Sequence, residues 1–158
     1  MSVIFSGKEV LEIAIRIEKN GFTFYSHAAQ KVTDNKAREL IEWLAQEEKG
    51  HIGRFEDILS SFNLEELDMT PAELEEYYLY LKALADARVF TTELKAEEAA
   101  RGIKNGKDAI NLGIGFEKDS LLFLHGIKML VKGTDAVIVE DLQREEMLHL
   151  KKLVELKG

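Results

Sequence analysis

Residues 41–58 read IEWLAQEEKGHIGRFEDI. At steps of three and four this stretch sets Ile41, Leu44, Glu48, His51, Phe55 and Ile58 on one helical face. The stripe is apolar except at its middle pair. Residues 139–156 read VEDLQREEMLHLKKLVEL and repeat the pattern as Val139, Leu142, Glu146, His149, Leu153 and Leu156. The steps are identical. A core-facing stripe that twice exchanges its central leucines for Glu-x-x-His is placing ligands, not packing.

Two further stretches carry the same register. One gives Leu11, Ala14, Glu18, Gly21 and Tyr25, the other Ile110, Gly113, Glu117, Ser120 and Leu124. Each buries one glutamate, and the position three residues later is small. Where two helices supply histidine, the other two are expected to supply space beside Gly21 and Ser120. The halves also resemble each other, EKNGFTFY (18–25) against EKDSLLFL (117–124), and QEEKGHIGRF (46–55) against REEMLHLKKL (144–153). Each half reads as one helical hairpin.

Capping signals set the boundaries. Ser6 with Glu9 forms a capping box, and Phe5 with Val10 a hydrophobic staple, opening a helix over about 7–31. Thr33 or Asp34 caps a second, to about residue 61. Thr70, Pro71 and Glu73 open a third, to about residue 85. A short one spans about 90–101. After a break at Gly102–Gly106 a long helix covers about 107–131. Gly133 ends it, and Thr134 or Asp135 caps the last, to about 157. No segment alternates as a strand. The fold expected over 1–158 is all-α: a single four-helix bundle domain of two antiparallel hairpins, with a helical insert at about 62–104 as the crossover.

Four carboxylates in a bundle core repel one another, and desolvation makes each costly. No lysine or arginine falls on the stripes near them. Two divalent cations cancel the −4 charge, as do two trivalent cations with one bridging oxide. A site neutral in both states suits redox cycling in a medium of low dielectric. Mixed carboxylate and imidazole donors favour iron or manganese over calcium. The remaining polar residues read differently. His27 lies about 180° around its helix from Glu18, and His125 about 80° from Glu117, so both read as surface or packing residues. Glu47 and Glu145 point off the stripe and are expected in solvent. Trp43 is expected against the insert. Leu74, Tyr77, Leu81 and Leu84 are expected to pack on the bundle, and Glu93, Glu97 and Glu98 to form a solvated face.

Composition bounds the rest. The net charge of −8 disfavours nucleic acid, and the absence of cysteine excludes disulfides, iron–sulfur clusters and thiol catalysis. Electrons must therefore come from outside. No apolar run approaches the ~20 residues of a membrane span, and the N-terminal stretch does not read as a signal peptide, so a cytoplasmic location is expected.

A glutamate on each of two helices and Glu-x-x-His on the other two resembles the ferritin-like diiron-carboxylate proteins. EKNGFTFY followed by EEKGH is similar to the rubrerythrin branch in particular. The resemblance implies Glu18, Glu48, His51, Glu117, Glu146 and His149 as ligands of two iron ions, oxo-bridged when oxidised, with manganese as the other metal to consider. It implies Glu48 and Glu146 as bridges, and Glu18 and Glu117 as terminal ligands. Tyr25, seven residues after Glu18, is expected to support a ligand carboxylate. The implied function is reduction of hydrogen peroxide or dioxygen, with electrons from a rubredoxin-like donor, in a homodimer. Ferritin-type iron oxidation and sequestration, or a non-catalytic metal-binding helical module, are the alternatives. The chain departs from rubrerythrins at Ser120, where they carry an extra carboxylate, so the ligand switch they place there does not carry over. No cysteine-ligated rubredoxin module is read in it, and with nine residues after His149 a ferritin cage is not expected.

Overall fold

A computed structural model describes residues 7–62 and 68–158. They form helices α1 (Gly7–Ala29), α2 (Asn35–Ser61), α3 (Pro71–Asp86), α4 (Glu93–Arg101), α5 (Gly106–Lys128) and α6 (Gly133–Lys157). The expected box and staple at Phe5 and Ser6 lie outside the described residues. Asp34 caps α2, its carboxylate accepting from the Ala37 amide at 2.8 Å. Thr70 and Glu73 close the capping box of α3 in both directions, with Pro71 at the first position. Each such cap contributes on the order of 1 kcal/mol.

Three boundaries differ from expectation. α4 begins at Glu93 rather than about 90, because Thr92 caps it and residues 87–92 make a turn. α5 stops at Lys128, where the Met129 and Leu130 amides turn back to Gly126 and Ile127. Neither Thr134 nor Asp135 caps α6. Gly133 opens that helix at φ 60°, a conformation glycine alone adopts freely, and Asp135 instead accepts from Ser61 Oγ at 3.3 Å.

α1 packs on α2 and α5 on α6, each pair joined by a short turn. Across the hairpins, Gly21 meets Phe116 and Tyr25 meets Gly113, so α1 and α5 run antiparallel. Ser61 meets Asp135, and Glu47 approaches His149, so α2 and α6 do too. The bundle core is the set of predicted stripes: Leu11, Ala14, Ile41, Leu44, Phe55, Ile58, Ile110, Leu124, Val139, Leu142 and Leu153 are all buried.

The insert lies on this bundle. α3 docks on α5 through Leu81, which fits the notch left by Gly126, and Tyr77 donates its hydroxyl to the Gly126 carbonyl at 2.5 Å. Sealing a leucine in this way stabilises by about 1.5–3 kcal/mol. Leu74 and Leu84 pack half-buried beside it. α4 lies along α1 with Ala96 and Ala100 inward. The turn between α3 and α4 drives Phe90 into the bundle, stacked on Phe24 at 4.6 Å and on Phe116 at 5.9 Å. The turn is pinned twice, by Asn20 Nδ2 donating to the Phe90 carbonyl and by the Val89 amide donating to Asp119.

Candidate metal centre

The same stripes that form the core converge at mid-bundle on Glu18, Glu48, His51, Glu117, Glu146 and His149. Each is at most 1% exposed. They assemble as two quartets whose ligand atoms lie within 4.8 Å of one another: Glu18, Glu48, His51 and Glu146, then Glu48, Glu117, Glu146 and His149. Glu48 and Glu146 belong to both, and they divide by oxygen. Glu48 presents Oε2 to His51 Nδ1 at 3.6 Å and Oε1 to His149 Nδ1 at 3.8 Å. Glu146 presents Oε1 to His51 Nδ1 and Oε2 to His149 Nδ1, both at 3.0 Å. Glu18 stands beside the first histidine at 3.4 Å and Glu117 beside the second at 3.7 Å. One carboxylate oxygen per quartet is the arrangement of a bridge. The two imidazoles lie nearly parallel, 12° apart, with ring centres separated by 5.4 Å.

The donors point at shared positions more than at one another. Among the described residues, the buried side-chain polar atoms without a hydrogen-bond partner are Glu18 Oε2, both Glu48 oxygens, His51 Nδ1, Glu117 Oε2, Glu146 Oε1, His149 Nε2 and Arg88 Nη1. All but the last belong to these six residues. Leaving so many polar atoms unpaired in a core is costly, unless cations complete them. Four carboxylate and two imidazole donors, two of the carboxylates shared, fit a pair of first-row transition ions.

Protons hold the cluster when metal does not. Burial, then the charges of Glu146 and Glu18, push Glu48 well above the usual carboxylate range. Burial and Glu146 do the same to Glu117, with His149 opposing in part. Burial also acts to raise Glu146, but the close approach of Glu117, His149 and His51 outweighs it and holds this carboxyl below its ordinary range. Burial disfavours imidazolium at both histidines and loses to the carboxylates. His51 is raised by Glu146, Glu18 and Glu48, and His149 is pushed up to about 10 by Glu117 and Glu146. Metal would enter by displacing these protons.

Tyr25 lies where the sequence sets it, on the ligand face of α1, but serves the opposite helix. Its sealed hydroxyl donates to Glu117 Oε1 at 2.5 Å. Burial and the Glu117 charge raise its pKa well above the phenolic range, so it remains a donor. The second quartet thus has a phenol behind its terminal carboxylate, and Leu124 stands at the equivalent position in the other half.

Four expectations are corrected. Glu145 is not simply solvated: it accepts from His51 Nε2 at 2.9 Å and from Arg54 at 2.6 Å. Burial would raise its pKa, but Arg54 and His51 hold it below the usual range. Glu47 lies 3.7 Å from His149 Nε2. Glu145 thus orients His51 so that Nδ1 faces the centre, while Glu47 lies near His149 without a hydrogen bond. The doubled glutamate of EEKGH and EEMLH was the visible signal. Trp43 meets His149 edge-on at 5.2 Å, under Lys152, rather than the insert. The space expected beside Gly21 is filled by the Phe116 ring, and that beside Ser120 is closed by Arg88, a buried cation from a non-helical turn that no periodicity could reveal. His27 hydrogen-bonds the Thr23 carbonyl and His125 is exposed, both away from the cluster. Glu97 pairs with Arg101.

A helical bundle with two carboxylate–imidazole quartets sharing two glutamates defines the ferritin-like class of dimetal proteins. Within it, the family model for rubrerythrin matches residues 9–157, and the chain belongs to the rubrerythrin family. No curated protein and no solved structure matches it. Among the described residues, no helix is long and apolar enough to cross a membrane.

Proposed function

We propose that this chain is a non-haem dinuclear iron oxidoreductase that reduces hydrogen peroxide or dioxygen with electrons from an external donor. The observation that carries the reading is the sharing of Glu48 and Glu146, one oxygen to each quartet. When bound, a pair of iron ions would supply the two electrons that, with two protons, reduce hydrogen peroxide to two waters, and an external donor would return them.

The chain's own residues set the conditions. Glu18 with His51, and Glu117 with His149, would each hold one cation, with Glu48 and Glu146 available to both. Glu145 fixes the His51 imidazole from outside, and Glu47 stands near His149. Tyr25 steadies Glu117 and keeps a proton at its hydroxyl within 2.5 Å of that carboxylate. The apolar stripes above and below exclude bulk water, which strengthens every charge interaction inside. With no cysteine in the chain, a separate redox protein of rubredoxin type is the donor in this reading. A cytoplasmic homodimer completes it.

The test is anaerobic reconstitution with Fe(II), addition of one equivalent of peroxide, and measurement of near-ultraviolet absorption by oxidised dinuclear iron. Rapid, stoichiometric oxidation is expected, and its loss in Glu48→Ala. Oxidation no faster than that of free Fe(II) removes the proposal. Native mass measurement separates it from iron storage, which requires a large hollow assembly.

A further inference from the structure

Arg88 stands apart from the ligand set. It enters from the turn between α3 and α4, is 7% exposed, and lies over the Phe116 ring at 5.2 Å. Nη2 donates to Ser120 Oγ at 3.0 Å. Nη1 is sealed from solvent and has no hydrogen-bond partner among the described residues. Phe116 and Ser120 lie one residue before and three residues after the ligand Glu117. Burial lowers the guanidinium's pKa, and the charges of Glu18, Asp119, Glu48 and Glu146 oppose it, three of them in the cluster.

Taking a guanidinium out of water is costly, and an unmade charged donor adds to that. Neutralising carboxylates would call for a paired fork against one of them. Arg88 makes no such pair among the described residues; Asp119, the neighbour of Ser120, accepts from the Val89 amide instead. The turn carrying Arg88 is nevertheless held rigidly, by Asn20 on one side, Asp119 on the other and Phe90 between. This is a donor fixed in place and left open on one arm.

We propose that Arg88 is a positioning residue for a small non-protein anion or oxygen acceptor at the dimetal centre, with Ser120 clamping one arm and the other arm donating to that acceptor. The inference rests on the dimetal reading above. A guanidinium has donors only and a permanent charge, so its partner is an acceptor and is favoured when anionic. Small triatomic or diatomic anions fit the chemistry. Ser120, in the position where the family's further carboxylate is missing, thereby serves a cation.

Azide is the probe. The oxidised iron-loaded protein is titrated with azide and followed by absorption, with iron per chain measured for each variant. Arg88→Met is expected to keep two irons and to bind azide about 10- to 100-fold more weakly, the loss of one charge-assisted hydrogen bond. Arg88→Lys recovers part of that loss, because it keeps the charge and not the fork. Ser120→Ala, which frees the clamped arm, weakens azide several-fold. A merely structural arginine would alter stability and leave these affinities level. Azide affinity within twofold of the parent in Arg88→Met, with two irons retained, overturns the inference. If Arg88→Met fails to fold, unchanged azide binding in both Arg88→Lys and Ser120→Ala overturns it equally. A parent chain that holds no iron removes the dimetal reading, and this inference with it.

Discussion

Replacing Tyr25 by phenylalanine removes one oxygen atom from a sealed position and tests the asymmetry of the centre. The hydroxyl is 2.5 Å from Glu117 Oε1, and the other oxygen, Oε2, has no hydrogen-bond partner among the described residues. In metal-free Tyr25→Phe both oxygens of a fully buried carboxyl are left without a hydrogen bond. Such a loss costs about 1.5–3 kcal/mol, more when the group is charged. Unfolding entropy of about 2.1 cal/mol/K per residue over 158 residues gives about 0.33 kcal/mol/K, so Tm should fall by roughly 5–9 °C. Glu117 serves only the His149 quartet. The variant should therefore weaken one metal and spare the other, giving biphasic loading where the parent chain loads more evenly. Calorimetry of the metal-free protein and a stoichiometric Fe(II) or Mn(II) titration check both parts. Unchanged metal-free stability, or equal weakening of the two metals, would refute the role given to the phenol.

Three other outcomes follow from the same geometry. In Gly21→Ala the new Cβ would stand 2.6 Å from Phe116 Cε1, so overpacking of about 1–3 kcal/mol should exceed the ~1 kcal/mol gain in helix propensity; Gly50→Ala, which meets nothing within 4 Å, should be stabilising in the same denaturant experiment. Metal-free protein should lose stability as pH rises. The folded pKa of His149, about 10, lies above its ordinary 6.5, so its contribution is complete below about 6.5 and lost as pH passes through about 10. Thermal scans should show the decline without metal, and little of it with metal bound. Finally, Glu18 serves one quartet and Glu48 both, so Glu18→Ala should retain about one metal per chain after dialysis and Glu48→Ala fewer than one, by elemental analysis.

The clustered residues were legible because helical periodicity and burial are the same fact seen twice: a polar pair inside an apolar stripe is a polar pair inside a core. Glu48–His51 and Glu146–His149 announce themselves that way, and Glu18 and Glu117 through their shared register. Tyr25 followed from its face, though not its partner, since which helix lies opposite is a matter of packing. Glu47 and Glu145 were missed because a wheel treats each helix alone. About 100° off the stripe is solvent for a lone helix, but at the α2–α6 seam it is the neighbour's histidine. Arg88 and Phe90 have no period to read, for they sit in a turn whose direction is set by Gly126, Leu81 and Asn20 together. The room beside Gly21 was misjudged for a related reason: a missing side chain signals close approach, and here the approaching group is a phenyl ring.

Anomalous diffraction at the iron edge from crystals of iron-loaded protein tests the central claim most directly. Two peaks per chain are predicted, one between Glu18 and His51, one between Glu117 and His149, with Glu48 and Glu146 reaching both. A single peak, peaks elsewhere on the acidic surface, or none in protein shown to fold would contradict it.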